Sequence, residues 1–333
     1  MKVSIIGNGL IGRKRALALG ADDTLIACCD SSPETARKFG EEFNCKHYTD
    51  YRELLDKEES DAVVVAVVNK FAKEIITEAL KRSKNVIAEK PLGRNFSEAN
   101  EIVYAANENG VVIKTGFNHR FHPAVMQAWK LISEGEIGNV FNIRGMYGHG
   151  GRAVMEKEWR ASKDLCGGGE LLDQGVHIID LIRWFGGGIK EVYGKVETKF
   201  WDMEVEDNAF GILKTINDVT ASFHVSWTNW KNIFSFEIFG TEGYAKIEGL
   251  GGSYGPETLE VGKRKIEGGR PDITLFKYDP EDISWKEEWK EFKSACSDKR
   301  EPLGNGEDGL RANEVIEALY KSNEQNKVVF INQ

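Results

Sequence analysis

Short apolar runs alternate with longer mixed segments over the first 120 residues. A short continuous apolar run is typical of a buried strand, whereas apolar positions every three or four residues are typical of a helix. The predicted strands are residues 3–6, 24–29, 61–68, 85–88 and 111–115, and the predicted helices are residues 13–19, 50–55, 71–82, 97–109 and a segment beginning at residue 33. This alternation predicts an α/β fold with a doubly wound parallel sheet.

The pattern changes after residue 120, where strands follow one another with few helices between them. Asn217 and Asp218 stand between two strand-like runs and predict a hairpin turn. The predicted strands are residues 141–147, 189–200, 212–214, 219–227 and 233–239, and the closing helices are residues 285–295 and 310–322. The chain is therefore expected to form an α/β domain over residues 1–120 and an α+β domain, with a mostly antiparallel open sheet, over residues 121–333.

One stretch of the second domain is bracketed by three glycines on each side, at residues 167–169 and 186–188. It predicts one helix of about four or five turns, apolar around most of its circumference and therefore buried. Asp173 and His177 are four residues apart and share one face of such a helix. Burying a carboxylate and an imidazole is costly unless they are paired. Two interpretations stay open: a satisfied structural pair, and a proton-transfer pair at the floor of a cleft.

The composition narrows the class of protein. The 333 residues carry a formal net charge of −9, which argues against nucleic acid or an anionic membrane surface as a partner. Five cysteines without a CxxC spacing argue against a disulfide framework and favour the reducing cytoplasm. The apolar run at the start is too short for a signal peptide, and no segment has the length of a membrane span. We expect a soluble, cytoplasmic protein.

A glycine-rich turn follows the first predicted strand and precedes a helix. Its sequence is Gly7-Asn8-Gly9-Leu10-Ile11-Gly12, a GxGxxG pattern in the order that a dinucleotide-binding Rossmann unit requires. The first glycine allows the tight turn, the second lets backbone N–H groups approach a pyrophosphate, and the third allows close helix–strand packing. The anion is favoured at the helix N-terminus, where N–H groups lack partners.

Asp30 ends the second predicted strand, 18 residues after Gly12. A carboxylate at this position is placed to accept hydrogen bonds from an adenosine ribose. The alternative is that Asp30 only begins the turn before the helix at Pro33. A carboxylate would repel a 2′-phosphate and no Arg follows directly, so the sequence predicts NAD rather than NADP as the cofactor.

Glu89-Lys90-Pro91 follows the predicted strand at residues 85–88. The carboxyl ends of strands form the edge where ligands bind in open α/β sheets. Lys90 is therefore a candidate contact for a bound ligand, with a solvated surface lysine as the alternative. Pro91 predicts a tight turn after the strand, with a cis peptide bond as one form of it.

These elements occur together in a specific order: the glycine turn, Asp30, Glu89-Lys90-Pro91, and the glycine-led stretch with Asp173, His177 and Asp180. The ordered set, over essentially the whole chain, resembles the glucose–fructose oxidoreductase, inositol dehydrogenase and rhizopine-catabolism (GFO/IDH/MocA) family of NAD(P)-dependent dehydrogenases. The resemblance implies Lys90, Asp173 and His177 as catalytic residues, with Glu89 and Lys90 also at the cofactor. It implies substrate contacts from Arg120, Trp159 and Arg160, and a homodimer or homotetramer formed through the open sheet of the second domain.

One element departs from the family pattern. The family usually has Thr-Pro-Asn-x-x-His after the strand that here ends near Val68, whereas this chain reads Val67-Val68-Asn69-Lys70-Phe71-Ala72. The proline and the histidine are absent. Asn69 is retained as a candidate cofactor contact.

The function expected from these residues is hydride transfer between NAD and a hydroxyl-bearing carbon of a sugar, cyclitol or sugar derivative. His177 is the expected general acid/base because the ordinary pKa of histidine lies near neutral pH. Three alternatives stay open: NAD-assisted glycoside hydrolysis on the same fold, a dinucleotide-binding regulator without chemistry, and a metal enzyme. Two ligands are too few for the last, and no metal is expected.

Overall fold

The computed structural model describes residues 1–331. Its strands are β1 Lys2–Ile6, β2 Thr24–Cys29, β3 Lys46–Tyr48, β4 Ala62–Val65, β5 Asn85–Ala88, β6 Ile113–Thr115, β7 Val140–Gly148, β8 Ile189–Glu197, β9 Asn208–Thr215, β10 Thr220–Ser226, β11 Ile233–Gly240, β12 Gly243–Glu248, β13 Thr258–Lys263, β14 Asp272–Lys277 and β15 Val329–Phe330. Its α-helices are α1 Leu10–Leu17, α2 Pro33–Phe43, α3 Tyr51–Lys57, α4 Asn69–Lys81, α5 Phe96–Asn109, α6 Pro123–Ser133, α7 Lys163–Cys166, α8 Glu170–Asp173, α9 Gly175–Gly186, α10 Ser284–Asp298 and α11 Gly306–Gln325. Single 3₁₀ turns lie at Asn118–Phe121, Met155–Lys157, Trp159–Ala161 and Gly252–Tyr254.

The chain forms two compact units. Residues 1–118, 164–167 and 285–313 form the first unit, and residues 119–163, 168–284 and 314–331 form the second. The sequence predicts a division at residue 120, and this boundary stays a prediction. The sequence contains no indication that α10, far along the chain, packs with the first unit.

The first unit is built on a six-stranded sheet in the order β3-β2-β1-β4-β5-β6, and every pair of neighbours in it is parallel. All four residues of β4 are buried, as expected for a central strand covered on both faces. The short strand β3 is absent from the sequence-based prediction because its residues are mostly exposed and carry no apolar run. The predicted doubly wound parallel sheet is confirmed.

Side chains of α10 tie it to the first unit. Trp289 donates from its ring nitrogen to Asp23 at 2.6 Å, and Lys293 lies 2.8 Å from the same carboxylate. Burial alone would raise the pKa of Asp23, but these hydrogen bonds hold it at about 2. Phe292 is fully buried in the same core as β1 and β4.

The second unit is built on a nine-stranded sheet in the order β14-β13-β12-β11-β7-β10-β9-β8-β15. The pair β10–β7 is parallel, and the other pairs are antiparallel. The predicted hairpin joins β9 to β10, with Asp218 in the left-handed region at φ 64°. The prediction of a mostly antiparallel sheet in an α+β arrangement is confirmed.

The glycine-bracketed stretch forms two helices and not the single helix predicted from its apolar pattern. Helix α8 ends at Asp173, α9 begins at Gly175, and Gln174 joins them at φ −103°. A Cβ on Gly175 would lie 3.3 Å from Val225 of β10, so the chain packs close to the sheet at the break. The prediction that Asp173 and His177 share one continuous helix is therefore wrong, although α9 is buried as expected.

Among residues 1–331, none of the helices combines the length and the apolar character that crossing a membrane requires.

Candidate functional site

The glycine turn has the backbone geometry that its spacing predicted. Gly7 lies at φ 95°, and a Cβ there would come within 2.2 Å of the carbonyl oxygen of Ala66. A Cβ on Gly12 would lie 2.0 Å from the carbonyl oxygen of Gly7. Both positions therefore require glycine, the first for its conformation and the second for the close approach of α1 to the turn.

Two observations at this turn fit a bound dinucleotide. A Cβ built on Gly9, the N-cap of α1, meets no atom within 4 Å, so open space lies directly over the start of the helix. Asn8 is 7% exposed, and among residues 1–331 neither polar atom of its side-chain amide has a hydrogen-bond partner. Open space at a helix N-terminus beside an unsatisfied amide suits a pyrophosphate. Leu10, in the same glycine-rich turn, is 74% exposed, whereas Asn8 is buried.

Asp30 lies directly beside the glycine turn. One carboxylate oxygen accepts the backbone N–H of Asn8 at 2.9 Å, and the other accepts the N–H of Ser32 at 2.9 Å. Asp30 thus fixes the turn and also begins the loop before α2, whose N-cap is Ser32. Each carboxylate oxygen keeps a further lone pair, so these two bonds leave it able to accept from a ribose hydroxyl.

The Glu89-Lys90-Pro91 element follows β5 at the carboxyl edge of the sheet. The Lys90–Pro91 peptide is cis, and Leu92 behind it is fully buried. The Glu89 carboxylate accepts a hydrogen bond from Arg15 of α1 at 2.6 Å. The Glu89 carboxylate thus has a partner within the protein. The predicted contact of Glu89 with the cofactor stays a prediction.

Asn69 begins α4 and lies within the element, residues 67–72, that departs from the family pattern. Its side-chain amide donates to the carbonyl oxygen of Cys166 at 2.8 Å, and Lys70 is paired with Asp164. These bonds hold residues 164–167 within the first unit. The amide nitrogen of Asn69 therefore has a partner inside the protein, and its predicted role at the cofactor stays a prediction.

In the second unit, His177 lies within a group of aromatic rings. It is 4% exposed and stacks on His119, with ring centroids 3.8 Å apart and an interplanar angle of 22°. Tyr147 of β7 presents its ring at a steep angle to both imidazoles. The orientation of the His177 ring is thus set by rings on other elements.

Asp173 pairs with Arg160, Oδ2 to Nε, at 3.4 Å. The Arg160 guanidinium lies over the ring of Trp159, 4.3 Å from its centroid, and reaches Glu158 at 3.9 Å. The structure therefore brings Trp159, Arg160 and Asp173 into one group. All three side chains are partly exposed and accessible to a ligand.

Arg120 has a different environment. Its guanidinium donates to both oxygens of Asp180 at 2.8 and 2.5 Å, and both side chains are almost fully buried. The same guanidinium lies 5.2 Å from the centroid of the Trp184 ring. These contacts favour a structural ion pair, and we leave Arg120 out of the proposed substrate site.

Sequence reasoning missed four side chains of this region: His119, His149, Tyr254 and Gln174. Gln174 donates to the Tyr254 hydroxyl at 3.2 Å. His149 accepts the N–H of Gly151 on Nδ1 at 2.8 Å, which leaves Nε2 as the nitrogen that carries the proton. Burial lowers the pKa of His149, so the ring is a neutral donor near pH 7. Of these four, His119 had the clearest signal in the sequence, because it directly precedes the predicted substrate residue Arg120.

Comparison with known proteins identifies the family. Residues 1–117 match the model described as an oxidoreductase family with an NAD-binding Rossmann fold, and residues 125–246 match the GFO/IDH/MocA C-terminal domain. The chain is 30% identical to the 1,5-anhydro-D-fructose reductase of Ensifer adhaerens over 80% of its own length and 78% of the relative's. It is 27% identical to the levoglucosan dehydrogenase of Pseudarthrobacter phenanthrenivorans, over 73% of this chain and 72% of that one.

The fold agrees with that of a solved structure. A levoglucosan dehydrogenase in complex with NADH superimposes with a TM-score of 0.91 at 23% sequence identity, over 100% of this chain and 99% of the other. The glycine turn, the parallel sheet of the first unit and the mixed sheet of the second are thus parts of one known architecture. The chain belongs to the GFO/IDH/MocA family and is an NAD-binding oxidoreductase.

Proposed function

We propose that this protein is a dehydrogenase or reductase of a sugar, cyclitol or sugar derivative, with Lys90, Asp173 and His177 as the residues that act on the reacting hydroxyl. The observation that carries the proposal is the environment of His177. A buried imidazole held between rings, close in sequence to a carboxylate that remains partly exposed, suits proton transfer better than a satisfied structural pair.

The glycine turn, Asn8 and Asp30 would hold the cofactor. NAD, when bound, supplies the acceptor or donor of the hydride. His177 removes the hydroxyl proton from the substrate in the oxidative direction and returns it in the reductive direction. Asp173 steadies the proton transfer, and the ammonium group of Lys90 favours alkoxide character on the reacting oxygen.

The second unit offers polar groups that suit a polyhydroxylated substrate. Arg160 and the Nε2–H of His149 can donate hydrogen bonds to substrate hydroxyl groups, and the Asp173 carboxylate can accept hydrogen bonds from them. The flat ring of Trp159 adds an apolar surface of the kind that packs against a sugar ring. The names of two relatives, levoglucosan dehydrogenase and 1,5-anhydro-D-fructose reductase, support a sugar derivative as the substrate class.

A panel of sugars, inositols, uronates and nucleotide sugars tests this proposal, with levoglucosan and 1,5-anhydro-D-fructose included. Each compound is offered with NAD or NADH, and the absorbance of the reduced nicotinamide is followed. We expect at least one neutral sugar derivative to be turned over. Binding of NAD without turnover of any member would favour a regulator and contradict the proposed function.

The cofactor preference follows from Asp30. We expect a clear preference of the protein for NAD, and Asp30→Ser combined with Ser31→Arg should move the ratio of kcat/KM values toward NADP, since a cation replaces the carboxylate beside the ribose. Asp30→Asn is the control, because it removes the charge without adding a phosphate partner. Equal kcat/KM for NAD and NADP in the unaltered protein would refute the role of Asp30.

We also propose a homodimer or homotetramer formed through the exposed face of the nine-stranded sheet. On this face Phe210 and Ile212 of β9 are 42% and 55% exposed, and Met146 of β7 is 40% exposed. A second copy of the same sheet would cover this apolar surface, and closed symmetric assemblies are the common form of soluble oligomers.

Ile212→Glu places a charge in the middle of this face and should shift the protein toward the monomer in light scattering. Tyr104→Glu, on the exposed side of α5 in the first unit, should leave the assembly unchanged. A monomeric unaltered protein, or an Ile212→Glu variant with the same mass as the parent, would contradict the proposed interface.

All five cysteines are free thiols, which supports a reducing compartment such as the cytoplasm.

A further inference from the structure

A chain of four charged side chains runs through the first unit. Arg15 of α1 donates from Nε to Glu89 at 2.6 Å and from Nη1 to Glu288 of α10 at 2.5 Å. Lys114 of β6 lies 3.4 Å from the other oxygen of Glu288. The side chains of Arg15, Lys114 and Glu288 are 2%, 0% and 0% exposed. Two cations therefore balance two carboxylates inside the unit.

Arg15 connects the helix of the glycine turn to the turn that carries Lys90. Its own helix begins at the GxGxxG sequence, whereas Glu89 directly follows β5 and directly precedes Lys90. The guanidinium also stacks on the ring of Trp285, 4.6 Å from its centroid. It is thus held by α10 on one side and holds the Glu89 carboxylate on the other.

Gly116 leaves room for this contact. A Cβ at residue 116 would lie 2.8 Å from the guanidinium of Arg15 and 3.0 Å from the carboxylate of Glu89. The backbone N–H of Gly116 donates to Ala88, the last residue of β5, at 2.8 Å. A side chain at this position would therefore push the ion pair aside without changing any charge.

The free energy of such a network does not by itself explain its presence. Removing several charges from water costs about as much as their attraction returns, and apolar residues of the same volume often stabilise a fold equally well. The network instead fixes the positions of its side chains, because a guanidinium that binds two carboxylates holds both of them in place relative to its own helix.

We infer that Arg15 is a positioning residue for the reaction: by fixing Glu89 between α1 and Glu288, it holds the Lys90 turn in the geometry that catalysis requires. This inference rests on the role of Lys90 in the proposed function. Arg15 itself touches neither the substrate nor the hydride in this account. Its effect on the rate passes through the position of Lys90.

Arg15→Lys keeps the charge but cannot bind two carboxylates in a fixed fork. We expect kcat to fall about tenfold while KM for NAD stays within about twofold, because small misplacements of a catalytic group slow the chemical step. Gly116→Ala should lower kcat in the same direction, since it displaces the pair without altering its charges. Thermal unfolding and circular dichroism establish that each variant is folded, and if Arg15→Lys does not fold, Gly116→Ala decides alone.

The matched control is Arg13→Lys. Arg13 lies on the same helix and pairs with Glu42, but both side chains are exposed, so the same substitution there should leave kcat unchanged. A kcat near that of the parent in folded Arg15→Lys or Gly116→Ala would overturn the inference.

A double variant separates this inference from the proposed function. If Arg15 acts through Lys90, adding Arg15→Lys to a Lys90→Met protein should lower kcat no further. A second tenfold loss in the double variant would mean that Arg15 acts independently of Lys90, which overturns the positioning role and leaves the proposed function intact. Full kcat/KM in Lys90→Met alone would instead remove Lys90 from the mechanism, and the inference would fall with it.

Discussion

Replacing His177 by alanine should lower kcat by ~10²–10⁴-fold, the range expected for loss of a general acid/base. NAD affinity should stay within a few-fold, because the glycine turn, Asn8 and Asp30 belong to the first unit and His177 belongs to the second. The measurement pairs steady-state kinetics on a substrate from the sugar panel with NAD titration by fluorescence. A loss of kcat without a loss of NAD binding assigns the imidazole to chemistry.

A second variant distinguishes chemistry from packing. His177→Phe keeps a ring that can stack on His119 but carries no exchangeable proton, so it should be as impaired as the alanine variant. His47→Ala, at an exposed position of β3, should behave as the parent. If folded His177→Phe keeps close to the full kcat, then His177 has a structural role as a ring that stacks on His119, and it does not act as the general acid/base.

Lys90→Met should lower kcat/KM by ~10²–10³-fold, by analogy with the loss of one preorganised donor at an oxyanion. Methionine keeps most of the volume of the lysine stem, so stability and NAD affinity should change little. A fixed cation stabilises developing negative charge most strongly where water is excluded. The rise of kcat/KM with pH should accordingly move to higher pH in the variant, because alkoxide character is no longer favoured by an adjacent ammonium group.

Lys84→Met is the matched control for this substitution. Lys84 immediately precedes β5 and Lys90 follows shortly after it, so the two lysines lie near opposite ends of the same strand. Only the carboxyl end belongs to the edge where ligands bind in such sheets. Lys90→Met with unaltered kcat/KM and an unaltered pH profile would mean that Lys90 is a solvated residue that happens to precede a proline.

Local sequence patterns predicted most of the elements of the first unit. The bounds of β2 and β5 agree with the predicted strands residue for residue, because each is an apolar run ended by a polar side chain. The GxGxxG spacing predicted the conformation of Gly7 and the close approach at Gly12, since both follow from backbone sterics alone. Asp30 was singled out by its sequence distance from the turn, and its carboxylate accepts the backbone N–H of Asn8 within that turn.

Contacts between distant parts of the chain could not be predicted in this way. Arg15 and Glu288 are separated by 273 positions, and neither has a local pattern that reveals the other. The stacking of His119 on His177 likewise depends on how a 3₁₀ turn packs against α9. The break at Gln174 was hidden because the apolar periodicity of α8 and α9 continues across it. The pairing of Arg120 with Asp180 was likewise not predictable, since both residues were visible in the sequence but their contact was not.

The central claim is net hydride transfer to NAD from a sugar-like substrate, and product stoichiometry tests it most directly. The protein is incubated with NAD and the best substrate of the panel, and the reduced nicotinamide and the carbonyl product are quantified together. The account predicts one NADH for each carbonyl group formed, with both lost in His177→Phe. Conversion of the substrate without net NADH would contradict it and would point to a redox-neutral reaction in which NAD is only transiently reduced.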